Sequence, residues 1–466
     1  MTYTERNLHT IHRRRFLGGA AALLGTAGPL QGLVARAAIA QEPGQPDTGG
    51  YGDGGYGPLR PAGPELALPE GFTYVMFGVE GSPMSNGSLT PRAHDGMCAL
   101  PLANGGIRLI RNHEDRFPPE TATLIGDAAT AYDQRAGGGT TSLEIEVTSS
   151  GERRLVRSFV SLNGTIVNCA GGPTPWGSWL SCEETTEGRA QGWEQEHGYV
   201  FEVPATAQNA VVAQPLRAMG RFVHEAAAVD PRTRIVYETE DNGTAGFYRF
   251  IPDRPGDLRA GGSLQMLAVR DQSGYDTRTG QRMGQALPVV WVDIDDPDPE
   301  DAAVNDLAVY QQGFAEGGAT FARLEGCWWG DDAVYFNSTS GGDVEEGQVW
   351  EYRPTGADQG ILRLIFESPD EAVLDNPDNI TVTPRGGIVL CEDGDRAHLF
   401  MRGLTRDGQI FDFAQNLVNN REWAGATFSP DGQTLFVNIQ GDTSPDGDGD
   451  LGMTFAIWGP WEKGAL

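Results

Sequence analysis

Positive charge is scarce in this chain of 466 residues, which has 34 lysines and arginines against 64 acidic residues and a formal net charge of −30. Lysine is almost absent, since Lys463 is the single example. Such an excess of negative charge is repelled by the phosphates of nucleic acids and by anionic membrane surfaces. We therefore expect neither kind of partner. The surplus acid serves either solubility or the binding of cations.

Histidine and cysteine are also scarce, with seven and five residues respectively. Zinc sites are built largely from these two side chains at characteristic spacings. The histidines here have no such spacing, so we do not expect zinc. The odd number of cysteines cannot pair completely in disulfides. At least one of them is left to act as a metal ligand or as a small buried residue.

An extended apolar stretch occurs near the N-terminus, but glycine and proline interrupt it and it is barely long enough to cross a bilayer. It follows the motif R-R-R-F-L at Arg13–Leu17 and precedes small residues at Ala35, Ala37 and Ala40. This order is typical of a twin-arginine export signal; a plain secretory signal and a membrane anchor are the alternatives. We predict that residues 1–40 are cleaved, leaving no membrane anchor. The twin-arginine machinery would then export the folded protein to the periplasm or the medium.

Glycine and proline are abundant, with 64 and 29 residues, which favours many short strands joined by turns over long helices. Residues 41–65 are rich in glycine and proline and lack periodicity, so they predict a flexible linker. From residue 66 to residue 466 the alternation of strand-like runs and turns is continuous. We predict a single all-β domain over this range and expect it to be a monomer.

Six segments of this domain share one pattern: a polar residue opens a short apolar run, a Gly/Pro/Asp turn follows, and a β-rich run ends in a polar residue. The segments are 94–115, 168–184, 224–241, 324–343, 378–395 and 422–442. Each predicts a two-stranded hairpin whose two ends lie close together. Six similar hairpins are better explained by the blades of a β-propeller than by a β-sandwich. We predict a six-bladed β-propeller, closed by pairing of the C-terminal run after residue 453 with a strand near Phe72.

The first strand of each propeller blade lines the central channel, so the polar ends of the six hairpins would form one ring. The opening residues are Asp95, Asn168, Cys169, Glu225, Glu325, Asp378, Asn379 and Glu422. The closing residues are Asn112, Glu114, Glu183, Glu184, Glu240, Asp241, Asn337, Glu392, Asp393 and Asn438. Calcium and other hard cations take carboxylate and amide oxygens as ligands, and ferric iron can also accept a thiolate. Because so many acids would repel one another without cations, the sequence predicts a metal site in the central channel.

Arg323 is the one cation that this pattern places within the acidic ring, two residues before Glu325. A guanidinium can hold a tetrahedral oxyanion through two parallel hydrogen bonds. Bound metals together with an arginine are a usual arrangement for stabilising charge on a transferring phosphoryl group. The alternative interpretation is a structural ion pair between Arg323 and Glu325.

Several of these motifs resemble the PhoX-type alkaline phosphatases. The similar segments are NHE at 112–114, NCAGG–TPWG–WLSCEE at 168–184, GRFVHEAA at 220–227, R-x-E at 323–325, DNPDN at 375–379 and EWAGATFSPDGQTLFVNIQ at 422–440. They keep their order over nearly the whole chain after the export signal. The resemblance implies a six-bladed propeller, twin-arginine export, and hydrolysis of small phosphate monoesters at a site of ferric iron (Fe3+) and calcium (Ca2+).

The resemblance also implies roles for individual residues. Arg323 would hold phosphate, and Arg323 and Glu325 are the expected catalytic residues. Cys169 would bind iron, with Cys182 as the less favoured alternative. Together with the pattern above, the expected metal ligands are Glu114, Cys169, Glu183, Glu225, Glu240, Glu325, Asp378 and Glu422. The weaker candidates are Asn112, Cys182, Asp241 and Glu392.

The sequence departs from the family pattern in its cations. Val223 stands where we expect a lysine in larger members, and the lysine that helps to bind phosphate in those members has no counterpart here. Two other functions therefore stay open at this point. One is a calcium-dependent propeller hydrolase of lactones or esters, which needs no iron, thiolate or arginine. The other is a calcium-stabilised propeller that binds a partner without catalysis.

Overall fold

The computed structural model describes residues 52–466, so the predicted export signal at 1–40 lies outside the described residues. Strands dominate this part of the chain, and α1 (Ala308–Ala315) is its one α-helix. Four short 3-10 helices are Arg189–Gln191, Arg217–Met219, Leu258–Ala260 and Trp461–Lys463. The strands are β1 (Leu59–Pro61), β2 (Leu66–Pro69), β3 (Thr73–Phe77), β4 (His94–Pro101), β5 (Ile107–His113), β6 (Gly138–Val147), β7 (Arg153–Thr165), β8 (Asn168–Pro173), β9 (Ser178–Glu183), β10 (Val200–Pro204), β11 (His224–Val229), β12 (Val236–Glu240), β13 (Phe247–Pro252), β14 (Gly262–Val269), β15 (Leu287–Asp293), β16 (Leu324–Gly330), β17 (Ala333–Ser338), β18 (Gln348–Pro354), β19 (Gly360–Glu367), β20 (Pro377–Val382), β21 (Ile388–Glu392), β22 (Phe400–Leu404), β23 (Ile410–Asn416), β24 (Trp423–Phe428), β25 (Leu435–Ile439) and β26 (Met453–Trp458).

The strands form six antiparallel blades, which confirms the predicted β-propeller. Blade 1 is β4-β5-β6-β7, blade 2 is β8-β9-β10, blade 3 is β11-β12-β13-β14, blade 4 is β16-β17-β18-β19, blade 5 is β20-β21-β22-β23, and blade 6 is β24-β25-β26-β3. Strand β15 pairs with both β14 and β19 and so joins blades 3 and 4 into one sheet of nine strands. Every residue of the second strands β5, β9, β12, β17, β21 and β25 is buried, so the polar side chains in them need partners within the protein.

The propeller is closed by strands from the two ends of the domain. Strand β26 pairs with β3 from Thr454 opposite Phe77 to Trp458 opposite Thr73, as predicted from the C-terminal run. The structure differs from the predicted flexible linker over the later part of residues 41–65. Strand β1 lies within that range and, through β2, extends the outer edge of blade 5. The buried Tyr56 donates hydrogen bonds to the carbonyls of Trp461 and Leu466, which fixes this segment to the C-terminus.

The first strands β4, β8, β11, β16, β20 and β24 contact one another in cyclic order around the axis. Glycine allows this close approach. A Cβ atom on Gly96 of β4 would lie 2.5 Å from the Cα atom of Ala170 in β8. One on Gly326 of β16 would lie 2.6 Å from the backbone nitrogen of Ile380 in β20. Because real Cβ atoms do not approach so closely, the residues at this level must be small, and the inner strands leave little free space there.

All five cysteines are buried and free, so the blades are held together without disulfides. Hydrophobic clusters between neighbouring blades supply the packing instead, as where Val437 of β25 packs with Phe455 of β26 and Phe413 of β23. Within residues 52–466 no helix is both long and apolar enough to cross a bilayer.

Candidate metal centre

Each blade begins with the same local structure, which places three of its residues at the mouth of the channel. A register shift follows the first residue pair of the inner hairpin in blades 1 to 5 and the second pair in blade 6, so the first strand bulges out of the ladder there. The shifts lie between His94 and Met97, Asn168 and Gly171, His224 and Ala227, Leu324 and Cys327, Pro377 and Ile380, and Ala424 and Thr427. Within or beside each bulge is a residue that we call the inner position of the blade. In blade order the inner positions are Asp95, Cys169, Glu225, Glu325, Asp378 and Ala424.

A backbone hydrogen bond closes the mouth of every hairpin. It joins the residue two places before the inner position, the rim position, to the residue that follows the second strand, the return position. The N–H of the return residue donates to the rim carbonyl in the pairs Glu114–Ala93 (2.9 Å), Glu184–Val167 (2.8 Å), Asp241–Val223 (3.0 Å), Thr339–Arg323 (2.9 Å), Asp393–Asn376 (3.0 Å) and Gln440–Glu422 (3.2 Å). Inner and return residues of one blade are therefore held at the same end of the channel.

Four of the rim residues adopt left-handed backbone conformations although none of them is glycine. Their φ angles are +54° for Ala93, +48° for Val167, +44° for Arg323 and +46° for Asn376. This conformation is strained for any side chain and most of all for the β-branched Val167, at a cost of about 1–3 kcal/mol each. Because four blades repeat this strained conformation two residues before the inner position, we infer that it orients the inner side chain.

The three positions together line a polar cavity of about 200 Å³. Its lining residues are Glu114, Arg116, Cys169, Glu184, Asp241, Arg323, Glu325, Asp378, Asp393, Glu422, Gln440 and Thr443. Ligand atoms of its acids and its cysteine approach within 4.8 Å of one another in four groups of three. The groups are Asp95–Glu114–Cys169, Cys169–Glu184–Glu225, Glu225–Glu325–Asp378 and Asp378–Asp393–Glu422. Because Cys169, Glu225 and Asp378 each belong to two groups, the four form one continuous cluster.

Glu225 provides the clearest test of whether this cluster suits a cation. Its side chain is fully buried, and neither carboxylate oxygen has a hydrogen-bond partner among the described residues. Burial raises the pKa of Glu225 well above its usual range, and the charges of Glu325, Asp378, Glu184 and Asp95 raise it further. A buried acid without partners is strongly destabilising unless a cation or a proton neutralises it. The donor set of oxygens and one sulfur fits metal ions.

The other acids of the cluster are also buried close to one another, which disfavours their charged forms. Burial and neighbouring carboxylates raise the pKa of Asp95, Glu325 and Glu422 well above the ordinary value. Burial, with Asp95 as the first of several acidic neighbours, also raises the pKa of the Cys169 thiol. The Cys169 Sγ lies 3.7 Å from Asp95 Oδ2. Without a bound cation these carboxyl groups would hold protons that they lose in water at neutral pH.

Two arginines face the cavity. The Arg323 guanidinium donates from Nε and Nη2 to the two Asp241 oxygens at 2.9 and 3.0 Å, and from Nη2 to Glu325 Oε1 at 2.7 Å. The negative charge of Glu325, together with that of Asp241, raises the Arg323 pKa, so this arginine is always charged. Arg116 bonds to Glu114 through Nε and to Glu184 through Nη2. Arg116 is not among the site residues predicted from the sequence.

The structure brings most of the predicted site residues together. Those that meet at the cavity cluster are Glu114, Cys169, Glu225, Asp241, Arg323, Glu325, Asp378 and Glu422. The acids Asp95, Glu184 and Asp393 belong to the same cluster but were not among the predicted ligands. Gln440 was missed entirely, and its amide donates to Asp95 Oδ2 at 2.9 Å and to Glu422 Oε1 at 2.6 Å.

Glu183 is not part of this cluster, because its two oxygens are used elsewhere. Oε1 lies 2.6 Å from His197 Nδ1, and Oε2 accepts hydrogen bonds from the amides of Gly198 (2.9 Å) and Tyr199 (3.2 Å). His197 Nε2 in turn lies 3.5 Å from Asp133. Glu183 therefore belongs to a buried structural ion pair, and we remove it from the candidate ligands.

Glu240 and Glu392 occupy the same place as Glu183 in their own blades, at the last residue of the second strand. Glu240 Oε2 accepts hydrogen bonds of 2.7 Å from the Gly246 amide and from the Tyr248 hydroxyl. Glu392 Oε1 accepts from Arg402 Nε at 2.6 Å, and its Oε2 accepts from the Phe400 amide at 2.8 Å. Both carboxylates bond within their own blades and do not line the cavity.

Asn112 and Cys182 likewise serve the packing between blades. The Asn112 amide donates to the carbonyls of Cys169 and Ala170, both at 2.8 Å, while its oxygen accepts from Trp179 and Ser181. Cys182 lies in an apolar cluster between blades 2 and 3. Neither residue lines the cavity, so we also remove them from the candidate ligands.

Comparison with known proteins identifies the family of this chain. The sequence profile of the family described as alkaline phosphatase PhoX matches residues 54–442. The chain belongs to this family. Membership identifies it as a metal-dependent phosphatase and disfavours both the lactonase and the non-catalytic alternatives. A comparison with curated proteins finds no match.

Among solved structures, Pseudomonas fluorescens PhoX in complex with vanadate, a transition state analogue, has a TM-score of 0.67 and 18% identity. The alignment covers 86% of this chain and 97% of that one, which supports the propeller fold of this family member. A gluconolactonase from Xanthomonas campestris aligns over 87% of this chain and 91% of its own, at 12% identity. Its TM-score of 0.41 is too low to support any functional inference.

The His197 ion pair predicts a specific dependence of stability on pH. Burial lowers the pKa of His197, but the charges of Glu183 and Asp133 outweigh this effect and raise the pKa to about 9. Because the unfolded value is about 6.5, the pair contributes about 3 kcal/mol below pH 6.5, and this contribution is lost as the pH rises through 9. Urea unfolding at pH 6 and at pH 9.5 should therefore show a larger loss of stability in the parent than in His197→Asn. Equal losses in the two proteins would contradict the assignment.

Proposed function

We propose that this phosphatase hydrolyses small phosphate monoesters at a cluster of ferric iron and calcium in the mouth of the propeller channel. The observation that carries the proposal is the fully buried Glu225, whose oxygens have no partner among the described residues although four other acids surround it. Family membership adds phosphate chemistry, and Arg323 adds a cation beside the acids. The direct test is release of phosphate from a chromogenic monoester by purified protein of known metal content. Metal-loaded protein without turnover would refute it.

The proposed ligands are the members of the four groups, of which Cys169, Glu225 and Asp378 each belong to two. Calcium prefers hard oxygen ligands and would be held by groups that contain carboxylates alone. Cys169 is the one sulfur donor and would bind iron, since a thiolate suits a softer metal than calcium. Metal ions held in this way would act as Lewis acids towards phosphate oxygens and neutralise charge that develops during phosphoryl transfer.

Arg323 is the proposed phosphate-binding residue. Asp241 and Glu325 hold its guanidinium through Nε and Nη2, while Nη1 makes no hydrogen bond to a described residue and 40% of the side chain is exposed. A donor fixed by two carboxylates needs no reordering when it meets the non-bridging oxygens of phosphate. Glu325 thus combines two proposed tasks, because it orients Arg323 and belongs to the metal-ligand group of Glu225 and Asp378.

Export by the twin-arginine pathway is part of the same proposal. Its support is the R-R-R-F-L motif at Arg13–Leu17 with the small residues that follow it. This pathway carries folded proteins, so the cluster could be filled before export. A monomer in the periplasm or the medium, acting on a small phosphoester, is the form that we propose.

The adjacent residues Glu183 and Glu184 offer a matched test of the ligand assignment. Glu184→Gln should lose metal, because it removes one member of a candidate ligand group, and should not destabilise the metal-free form, because it relieves repulsion among the buried acids. Glu183→Gln should keep its metal but lose about 3–5 kcal/mol of stability, since the buried His197 loses its partner. Elemental analysis and urea unfolding of both variants measure these effects. The assignment fails if both variants retain the parental metal content.

The two cysteines near the channel provide a test for iron. Cys169→Ser should abolish an absorption band that arises from charge transfer between the thiolate and ferric iron. Cys182→Ser should keep that band, because Cys182 is packed among apolar residues away from the cavity. Absorption spectra of the three proteins at equal iron content measure the effect. Persistence of the band in Cys169→Ser would exclude Cys169 as the iron ligand.

Arg323→Ala should lower kcat/KM for a chromogenic monoester by about 10²–10³-fold, the usual effect of removing one fixed donor to a developing negative charge. Metal content must be measured in parallel, since the variant leaves Asp241 and Glu325 without their cation. Arg278→Ala is the matched control, because Arg278 is 39% exposed and paired with Asp276 at 2.7 Å but does not line the cavity. Unchanged kcat/KM in metal-loaded Arg323→Ala would show that the arginine has only a structural role.

A further inference from the structure

Arg116 and Arg323 are placed in the cavity in similar ways. Both arginines line it, with 42% and 40% of their side chains exposed. Each is held through Nε and Nη2 by two carboxylates, Glu114 and Glu184 in the case of Arg116. In each, Nη1 makes no hydrogen bond to a described residue.

We propose that Arg116 is a second phosphate-binding residue, which contacts the phosphoryl oxygens of the substrate together with Arg323. This inference rests on the proposed function and deepens it. The two arginines are the only basic residues among the described residues that line the cavity, where seven acids surround them. An anionic substrate must overcome the repulsion of any acids that metal ions leave uncompensated. A second fixed guanidinium on the approach path reduces this repulsion.

The backbone around Arg116 is fixed as firmly as its side chain. The Arg116 N–H donates to the carbonyl of Thr443 at 2.9 Å, which joins the segment after β5 to the loop after β25. Thr443 itself lines the cavity. Arg116 also lies only two residues beyond the return position Glu114. The hydrogen bond that closes the inner hairpin of blade 1 therefore holds Arg116 near the mouth of the channel. Because both the backbone and the side chain of Arg116 are held, its guanidinium is preorganised to bind an oxyanion.

The scarcity of lysine gives the two arginines a particular importance in this chain. The single lysine, Lys463, lies in the C-terminal 3-10 helix and does not line the cavity. No ammonium group can therefore act as a second contact to phosphate. Arginine fits a planar pair of phosphate oxygens better than lysine does, because its donors form a rigid fork.

Equilibrium binding of inorganic phosphate to the metal-loaded protein tests this role separately from turnover. Arg116→Ala should weaken phosphate binding by about 10- to 100-fold, as expected when a hydrogen bond to a charged group is lost. It should raise KM for a chromogenic monoester more than it lowers kcat if the contact forms on binding. Arg278→Ala should bind phosphate as the parent does. Parental phosphate affinity in metal-loaded Arg116→Ala would overturn the inference.

Arg116→Lys separates substrate binding from a purely structural role. One ammonium group can neutralise Glu114 and Glu184 and so preserve metal content and Tm. Its three donors share one nitrogen, however, so it cannot contact both carboxylates and also place a donor where Nη1 lies. Weaker phosphate binding at parental metal content and Tm is the expected result. Parental binding in this variant would show that Arg116 only compensates charge. If the metal-loaded parent neither binds phosphate nor hydrolyses the ester, the proposed function itself fails.

Discussion

The candidate site depends on one backbone hydrogen bond that is repeated in all six blades. In each blade the amide of the return residue donates to the carbonyl of the rim residue, at 2.8–3.2 Å. This bond fixes the separation of the two ends of each inner hairpin, and the bulge beside it turns the inner side chain towards the axis. Six such mouths around one axis concentrate carboxylates that would otherwise stay apart. The fold therefore brings the acids together by backbone geometry and leaves their mutual repulsion to be relieved by cations.

The sequence predicts the blades well because each hairpin carries its own signal. Apolar alternation, a Gly/Pro/Asp turn and polar ends recur six times. The number and order of the blades can therefore be predicted without knowing which blades contact one another. The closure of blade 6 by β3 is also predictable, since β26 pairs with β25 on one side and its other edge is covered by a strand from the N-terminal part of the domain. The N-terminal extension of blade 5 is not, because the three residues of β1 lie in a stretch whose composition is typical of a linker.

Most of the predicted ligands that do not line the cavity are the immediate neighbours of residues that do. In a strand, successive side chains point to opposite faces, so a shift of one place exchanges a buried structural side chain for one in the channel. Glu183, Glu240 and Glu392 end their strands and bond to their own blades, whereas the next residues, Glu184, Asp241 and Asp393, line the cavity. Aligning the six return ends would reveal the correct place. The triplets are NHE at 112–114, CEE at 182–184, TED at 239–241, NST at 337–339, CED at 391–393 and NIQ at 438–440, and the third residue of each is the return residue.

The positions at which the six blades differ from one another are the best guide to the chemistry of the site. Five blades supply a ligand-type side chain at the inner position, but the sixth has Ala424 there and places its acid, Glu422, at the rim. Blade 4 has Arg323 at the rim and the uncharged Thr339 at the return position. The second arginine, Arg116, lies beyond the repeated unit altogether, in a segment that no other blade matches. The repeated positions account for the binding of cations, while the positions that break the pattern supply the two guanidinium groups that an anionic substrate would meet.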